Sequence, residues 1–396
     1  MVTLIGNMNI LHISTHNESC GIGKYQEMYL DAMHNVDKYV KNIFFPYSPN
    51  FMSKMNDTDF SSVLNELDEY LEKTDVVHVQ HEFSFYGDGQ LEKIVNRIKA
   101  SGKPLVSTIH TNLPYEKLEM SRLSPKWPLL KFRTIVRNKR LVKKVQPLDA
   151  SNLVIVHNSF TKMGLVGIGY NARNIIVKPI PVPKVLLSVY SSNKTAVDEI
   201  YTKIDKKPGD IIIATVGYIN EVKGILSAVK ALALLPKNYK LLVLGGIHPR
   251  AENDVFLDEV GDFILKNGLI KRVYITGVIE SDDELNALVR SADIVVYPYG
   301  RLYMSSSAAL NNGFANHKPI IATRTKAFNE IMNEKEYIKF TQSFSYYDLA
   351  RLIASLSASD INSMSKLSEE YAIKFSYPNL AKELIRHYKS LISETP

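Results

Sequence analysis

The sequence predicts an α/β protein with two doubly wound, Rossmann-like domains, each built on a parallel sheet. Short uninterrupted Val/Ile/Leu runs, typical of strands buried on both faces, alternate with helical stretches in both halves of the chain. In the first half the runs cover residues 9–14, 75–80, 104–110 and 152–157. In the second half they cover residues 210–216, 240–244, 272–276, 293–297 and 319–323. This alternation favours a doubly wound fold, and a chain of 396 residues exceeds what one core of about 250–300 residues accommodates.

A cluster of prolines marks the predicted domain boundary. Pro179, Pro181 and Pro183 lie close together and precede a polar stretch, so we place the linker within residues 179–209. The expected domains are residues 1–184 and 209–375. A helical segment, residues 376–396, follows them.

The composition narrows the class of protein. An apolar content of 45% and a charged content of 22% are typical of a globular protein, and no apolar run approaches the roughly 18 residues of a membrane-spanning helix. Cys20 is the only cysteine, which excludes an internal disulfide and fits a reducing compartment. Without a secretory signal pattern or an acidic triplet at metal-ligand spacing, we expect a cytoplasmic protein without a metal. The formal net charge of +7 favours anionic partners but does not choose among nucleotides, lipids and nucleic acids.

Small, polar and cationic residues follow the predicted strands in both halves. Open parallel sheets bind ligands beyond the carboxyl ends of their strands, so these residues form the candidate site. In the first half they include Gly21, Gly23, His81, Glu82 and His110. In the second half they include Lys223, Gly245, Gly277, Val278, Glu280, Tyr299, Ser305, Ser306 and Ser307.

The candidate residues after the second-half strands have the chemistry needed to bind a diphosphate. The three serines are predicted to begin a helix, where free backbone N–H groups and the helix dipole attract anions. Lys223 adds a point charge after a glycine-containing loop, and Gly245 lets the backbone approach a ligand closely. Each feature alone has an ordinary alternative, namely serines that only cap a helix and a solvated lysine.

Several stretches match, in order, the motifs of one known family. They are CGIGKY (20–25), VVHVQHEF (76–83), TIHT (108–111), VGY with KGI (216–225), VLGGIHP (243–249), SADIVVYPY (291–299), the serines 305–307 with KPIIAT (318–323), and FSY (375–377). Together they resemble the large retaining GT-B family of glycosyltransferases that use nucleotide sugars, and a polysaccharide-related branch of it in particular. The resemblance extends over most of the chain.

The resemblance implies a fold and a set of roles. It implies two domains facing across a cleft, and transfer of a hexose such as mannose or glucose from a nucleotide-diphosphate sugar to a glycan or lipid-linked acceptor, without a cofactor. Lys223 and His110 would be the catalytic residues, with His110 facing the donor sugar through its ring or its backbone carbonyl. The remaining roles are diphosphate binding by Gly21, Gly23, Ser305, Ser306 and Ser307, nucleotide binding by Gly245, Gly277, Val278, Glu280 and Asn312, and lining of the acceptor and sugar cleft by His81, Glu82 and Tyr299.

Two places depart from the family pattern. Met304 and Asn312 occupy the positions of two family glutamates, and Tyr218 stands where the family often has an arginine beside the loop lysine. Two alternatives therefore stay open: a sugar phosphorylase or epimerase on the same fold, and a non-catalytic nucleotide- or carbohydrate-binding relative. No nucleic-acid motif is present, so we expect no nucleic-acid partner.

One basic stretch has no part in this site. Residues 131–144 contain seven lysines and arginines and no acid, with apolar residues at roughly helical spacing. A basic amphipathic helix of this kind could lie on an anionic membrane surface at the inner face of the membrane. The alternative is a helix that packs its apolar side on the first sheet and leaves its charges solvated.

Overall fold

The chain divides into two compact units, Met1–Pro179 with Tyr377–Pro396, and Ile180–Ser376. The computed structural model describes residues 7–15, 20–111, 127–185, 188–247, 255–300, 308–325, 328, 331, 335–342 and 344–394, with the backbone alone at 46, 127–132 and 134. The predicted α/β fold is confirmed, because each unit contains a six-stranded, wholly parallel sheet with helices between its strands.

The first unit holds six described strands in the order β2-β1-β3-β4-β5-β6. The strands are β1 (Met8–Ser14), β2 (Val40–Pro46), β3 (Val76–His81), β4 (Leu105–Ile109), β5 (Leu153–Val156) and β6 (Ile175–Val177). The described helices are α1 (Gly21–Val36), α2 (Pro49–Met52), α3 (Asp57–Glu72), α4 (Gln90–Ala100), α5 (Trp127–Val145), α6 (Ser159–Gly167) and, at the end of the chain, α15 (Tyr377–Glu394). The strand order reverses between β1 and β3, which makes this pair the topological switch point of the sheet.

The two faces of the first sheet are buried in different ways. Leu11 and Val77 lie in the apolar core that also holds helices α3 and α4. Their strand neighbours His12 and His78 point to the opposite face, because side chains alternate along a strand. These two histidines are fully buried, and their ring centroids lie 5.9 Å apart. One face of this sheet is therefore a buried polar layer.

Helix α15 packs on helix α1 through that polar layer. The hydroxyl groups of Tyr29 and Tyr388 lie 2.6 Å apart, and the Tyr388 hydroxyl shares a hydrogen bond of 2.7 Å with Nδ1 of His78. Lys389 adds an ion pair of 2.9 Å with Asp37. The final helix is thus attached to the first sheet by a chain of buried hydrogen bonds.

The second unit holds six described strands in the order β12-β11-β10-β7-β8-β9. The strands are β7 (Ile211–Val216), β8 (Tyr239–Leu244), β9 (Val273–Ile275), β10 (Ile294–Tyr297), β11 (Ile320–Thr323) and β12 (Lys339–Thr341). The described helices are α7 (Ser188–Ser192), α8 (Lys194–Lys203), α9 (Ile225–Leu234), α10 (Val255–Lys266), α11 (Asp282–Ser291), α12 (Leu310–Ala315), α13 (Tyr346–Ala354) and α14 (Ala358–Lys374). Here the order reverses between β7 and β10.

In the second unit, side chains that alternate along the strands are buried on both faces of the sheet. Ile212 and Ala214 pack with Leu288 of α11 on one face of the sheet, while Ile213 packs with Val229 of α9 on the other. Both faces are apolar, as the uninterrupted run in β7 predicts.

Local sequence signals set several element boundaries. The Ser281 hydroxyl accepts a hydrogen bond from the Glu284 N–H and caps α11. The predicted linker, residues 179–209, contains regular secondary structure. Its polar part forms α7 and α8, and Val197 and Ile200 of α8 are buried in the core of the second unit.

Among the described residues, no helix combines the length and apolarity needed to cross a membrane.

Candidate functional site

The switch point of the second sheet brings two loops together. The loop 217–224 follows β7, and residues 298–300 follow β10, the neighbouring strand. The Gly300 N–H donates to the Val222 carbonyl over 2.9 Å, which holds the two loops side by side. The predicted site residues Lys223 and Tyr299 lie in these loops.

Lys223 and Tyr299 are in direct contact. The lysine ammonium donates a hydrogen bond of 2.9 Å to the phenolic oxygen and lies 4.4 Å from the centroid of the same ring. Tyr299 is 1% exposed and packs against Phe328, so its ring is a fixed support. The ammonium is therefore held at the switch point by a hydrogen bond and a cation–π contact.

Glycine is sterically required where β7 and β8 end. A Cβ at Gly245 would lie 2.2 Å from the Gly217 carbonyl oxygen, and the residue has a φ of +154°. A Cβ at Gly246 would lie 2.6 Å from the Val278 nitrogen. The Gly245 N–H is bound by the Thr276 hydroxyl at 3.0 Å. The three loops after β7, β8 and β9 therefore meet through backbone, which leaves no room for side chains between them.

The other predicted nucleotide-binding residues lie around this group. Gly277 has a φ of +78°, and a Cβ there would meet no atom within 4 Å. Val278 and Glu280 are exposed, while Asn312 is half-buried in α12. Within the described ranges, no hydrogen bond or ion pair joins Glu280 or Asn312 to Lys223. The structure thus brings together Lys223, Tyr299 and Gly245, and places Glu280 and Asn312 outside their contacts.

The predicted serine helix start lies outside the described residues. Ser305, Ser306 and Ser307, together with Met304, belong to that range. The described part of the following helix, α12, begins at Leu310.

In the first unit, the loop after β1 leads directly into α1. The Cys20 sulfur accepts a hydrogen bond of 3.2 Å from the Gly23 N–H and caps the helix. Gly21 is exposed, and a Cβ there would meet no protein atom within 4 Å. Gly21 therefore borders open space at the start of a 16-residue helix, an arrangement that suits an anion.

His110 is fixed by two neighbouring side chains. Its Nε2 lies 2.7 Å from Oε1 of Gln80, and its Nδ1 lies 3.0 Å from Nε2 of His157. The ring of Tyr25 meets it edge-on at 5.1 Å. Burial, with the nearby His157 as the next cause, holds the pKa of His110 well below its ordinary value. Both ring nitrogens are therefore engaged by neighbouring side chains of the same unit.

The sequence analysis assigned no role to Gln80 and His157, although both contact His110. Strands β4 and β5 pair Ile109 with Val156, so the next residues in each strand, His110 and His157, are neighbours. His157 also ends a buried apolar run in the sequence. That signal could have identified His157 once the strand order was known.

His81 is the last residue of β3 and Glu82 follows it, and the two side chains have different neighbours. Glu82 accepts a hydrogen bond from the Thr111 hydroxyl. His81 is 1% exposed, packs against Phe83 and Tyr86, and has no hydrogen-bond partner for its Nδ1 among the described atoms. Burial lowers the pKa of His81 to about 4, so the ring is neutral at pH 7. Although histidines cluster here, no three described His, Cys, Asp or Glu side chains are grouped as metal ligands.

These features agree with the comparison of the chain with known families. Residues 197–374, which span both loops of the Lys223 site, match the family of group 1 glycosyl transferases. This part of the chain is therefore similar to group 1 glycosyl transferases. No curated protein sequence matches the chain.

Solved structures place the chain in the GT-B fold. HepE from Anabaena, in complex with UDP, is 14% identical with a TM-score of 0.71, over 97% of this chain and 100% of that one. A glycosyltransferase from Rickettsia africae is 16% identical with a TM-score of 0.69, over 98% and 99%. Sucrose-phosphate synthase from Thermosynechococcus elongatus is 16% identical with a TM-score of 0.65, over 98% and 99%. The predicted GT-B architecture is confirmed, and at this identity the likeness concerns the fold.

Proposed function

We propose that the protein is a retaining glycosyltransferase that moves a hexose from a nucleotide-diphosphate sugar to a glycan or lipid-linked acceptor. The observation that carries the proposal is the Lys223 ammonium, supported on Tyr299 at the switch point of the second sheet, within the residues that match group 1 glycosyl transferases. The glycine at position 217 supports it further, because a Cβ there would lie 3.5 Å from Cε of Lys223, so glycine keeps the space beside the lysine side chain open.

The chemistry assigned to Lys223 is electrostatic. When the bond between the sugar and the diphosphate breaks, negative charge develops on the departing phosphate oxygens. A pre-positioned ammonium stabilises that charge without reorganisation. The acceptor oxygen forms the new bond to the anomeric carbon, and its proton passes to the leaving phosphate on the same face. This step needs no enzymic nucleophile and, in our proposal, no metal or cofactor.

His110 has a different role in this proposal. Its ring nitrogens are bound to Gln80 and His157, so we assign its contribution to the backbone carbonyl that the ring holds in place. Gly21 and Gly23, at the start of α1, remain candidates for phosphate contacts in the first unit.

Neighbouring structures agree with a nucleotide-sugar donor. HepE was solved with UDP and with UDP-glucose. A trehalose-phosphate synthase from Burkholderia xenovorans, 11% identical, carries the description UDP-forming. Which base and which sugar this chain takes is the first question for experiment.

A thermal-shift screen against UDP, GDP and their hexose derivatives tests the proposal. Stabilisation by one nucleotide family, together with release of the nucleotide from its sugar, is the expected result. Stabilisation without hydrolysis or transfer would favour the non-catalytic alternative, and turnover with inorganic phosphate alone would favour a phosphorylase. Addition of EDTA is expected to leave the rate unchanged.

We also propose that the protein works at the inner, anionic surface of the membrane. Helix α5 carries the basic stretch, and its Ile135 and Val136 are 45% and 50% exposed. Exposed cations beside exposed apolar side chains suit an interfacial helix. In a liposome sedimentation assay, Arg133→Glu/Arg137→Glu should reduce binding to anionic vesicles, and Lys73→Ala/Lys99→Ala should not. Equal binding by all three proteins would contradict this placement.

A further inference from the structure

A cavity of about 560 Å³ lies in the first unit beside helix α5, at the loop that follows β3. Its walls come from the end of β3, the beginning of α4 and one side of α5. The residues that line it include His81, Phe83, Tyr86, Asp88, Glu92, Val136, Lys139, Arg140, Lys143 and Lys144. It is large enough for a phosphate group together with a sugar-sized substituent.

The cavity has an excess of positive charge, and its four cations are used differently. Arg140 forms an ion pair of 2.9 Å with Asp88, and the Lys144 ammonium donates to the carbonyls of Phe83 and Tyr86 at 3.2 and 3.3 Å. Lys139 and Lys143 are exposed and form no ion pair with any residue that the structure describes. Two cations on adjacent turns of one helix are therefore available to an anion.

A buried polar atom on the wall also needs a partner. His81 is 1% exposed, and its Nδ1 has no hydrogen-bond partner among the described atoms. A buried ring nitrogen without a partner is costly. A ligand hydroxyl satisfies it in either tautomer, because a hydroxyl can both donate and accept.

The two available lysines also border a second, more apolar cavity. That cavity has a volume of about 440 Å³ and shares Lys139 and Lys143 with the first. Ile135, Val142 and Ile168 lie on its walls. The lysines thus stand between a cavity that carries charged side chains and one whose walls are almost wholly apolar, which suits a phosphate with a hydrocarbon chain on one side.

We propose that this cavity binds the phosphate ester of the acceptor, with the phosphate on Lys139 and Lys143 and a hydroxyl of the head group at His81. The role as acceptor site rests on the proposed glycosyltransferase function, whereas the phosphate-binding chemistry does not. A lipid-linked phosphate and a soluble sugar phosphate share this chemistry. The neighbouring apolar cavity favours the lipid.

Titration calorimetry with defined probes tests the proposal. The probes are sn-glycerol 3-phosphate, ethyl phosphate and monomeric dihexanoyl phosphatidylglycerol, each added to the full chain. Lys139→Ala/Lys143→Ala should weaken binding of the phosphate esters by at least about tenfold, as expected for lost charge-assisted hydrogen bonds. The matched control is Lys73→Ala/Lys99→Ala, two exposed lysines at the ends of α3 and α4 that do not line either cavity.

The outcomes separate the parts of the proposal. If the wild type binds dihexanoyl phosphatidylglycerol more tightly than sn-glycerol 3-phosphate, the acceptor is a lipid. If it binds sn-glycerol 3-phosphate as tightly or more tightly, the acceptor is soluble. Equal affinity for ethyl phosphate and glycerol phosphate would overturn the role of His81. If no probe binds, or if the lysine variant binds as well as the wild type, the site is disproved. Binding of UDP or GDP in the same variant should be unchanged. A protein that binds the esters but no nucleotide would refute the transferase and leave the phosphate site standing.

Discussion

The ammonium of Lys223 lies 2.9 Å from the hydroxyl of Tyr299 and 4.4 Å from the centroid of its ring. The two residues are 76 positions apart in the chain and meet only because β7 and β10 are adjacent. This pair places a fixed positive charge at the switch point of the second sheet, where ligands of doubly wound folds bind.

Removal of that charge should slow catalysis without unfolding the protein. We expect Lys223→Ala to raise the activation barrier by roughly 2–4 kcal/mol, as for loss of one pre-positioned donor, with most of the effect in kcat. Tyr299→Phe keeps the ring and should cost less. The measurement is steady-state transfer with the donor identified in the thermal-shift screen. Lys237→Ala, at an exposed loop position, is the control. Unchanged turnover in Lys223→Ala would refute the assignment.

Two glycine substitutions should separate backbone strain from steric conflict. Gly268→Ala meets no atom within 4 Å but keeps a φ of +62°, so it should cost about 1–2 kcal/mol of stability. Gly245→Ala adds a Cβ 2.2 Å from the Gly217 oxygen and should cost more. It should also weaken nucleotide binding, because the loops after β7 and β8 must move apart. Urea denaturation and nucleotide titration of both variants provide the test, and equal costs would contradict the close approach.

The buried histidines should make the first unit sensitive to acid. Burial lowers the pKa values of His12, His81 and His157 from 6.5 to about 4. In the window between these values the unfolded chain binds protons that the folded one does not, so stability falls as the pH drops from about 6.5 towards 4. The expected slope is about 1.4 kcal/mol per pH unit for each histidine.

Urea denaturation at several pH values, followed by far-UV circular dichroism, measures this slope. The variant His157→Gln lacks one of these groups, so the slope of its unfolding free energy against pH should be smaller by about 1.4 kcal/mol per pH unit. A stability profile that is flat from pH 7 to 4.5 would contradict the neutral state of the cluster.

The attachment of the final helix should depend on its buried hydroxyl more than on its surface charge. Tyr388→Phe leaves His78 and Tyr29 without their shared partner and should cost about 1–3 kcal/mol. Lys389→Ala removes a partly exposed ion pair with Asp37 and should cost at most about 1 kcal/mol. Limited proteolysis of the C-terminal helix and urea denaturation compare the two. A larger effect of Lys389→Ala would show that the polar layer does not hold the helix.

The sequence by itself determined the fold class and most of the strands of the two sheets. Uninterrupted apolar runs identified β3, β7 and β8, because a strand covered by helices on both faces must be apolar along its length. Strand–helix alternation indicated the parallel sheets, and the residues after each strand gave the candidates Lys223, Gly245 and His110. The strands β2, β6 and β12 and the polar helices α7 and α8 were missed, because their local patterns are too brief or too polar to stand out.

Only the tertiary structure decided which of these residues meet. The order of strands in a parallel sheet depends on crossover connections between distant segments, and local periodicity carries no record of it. That order puts Lys223 on Tyr299, joins His110 to Gln80 and His157, and sets the basic side of α5 against His81. Residue types can be predicted from chemistry and spacing, whereas their partners follow from long-range packing.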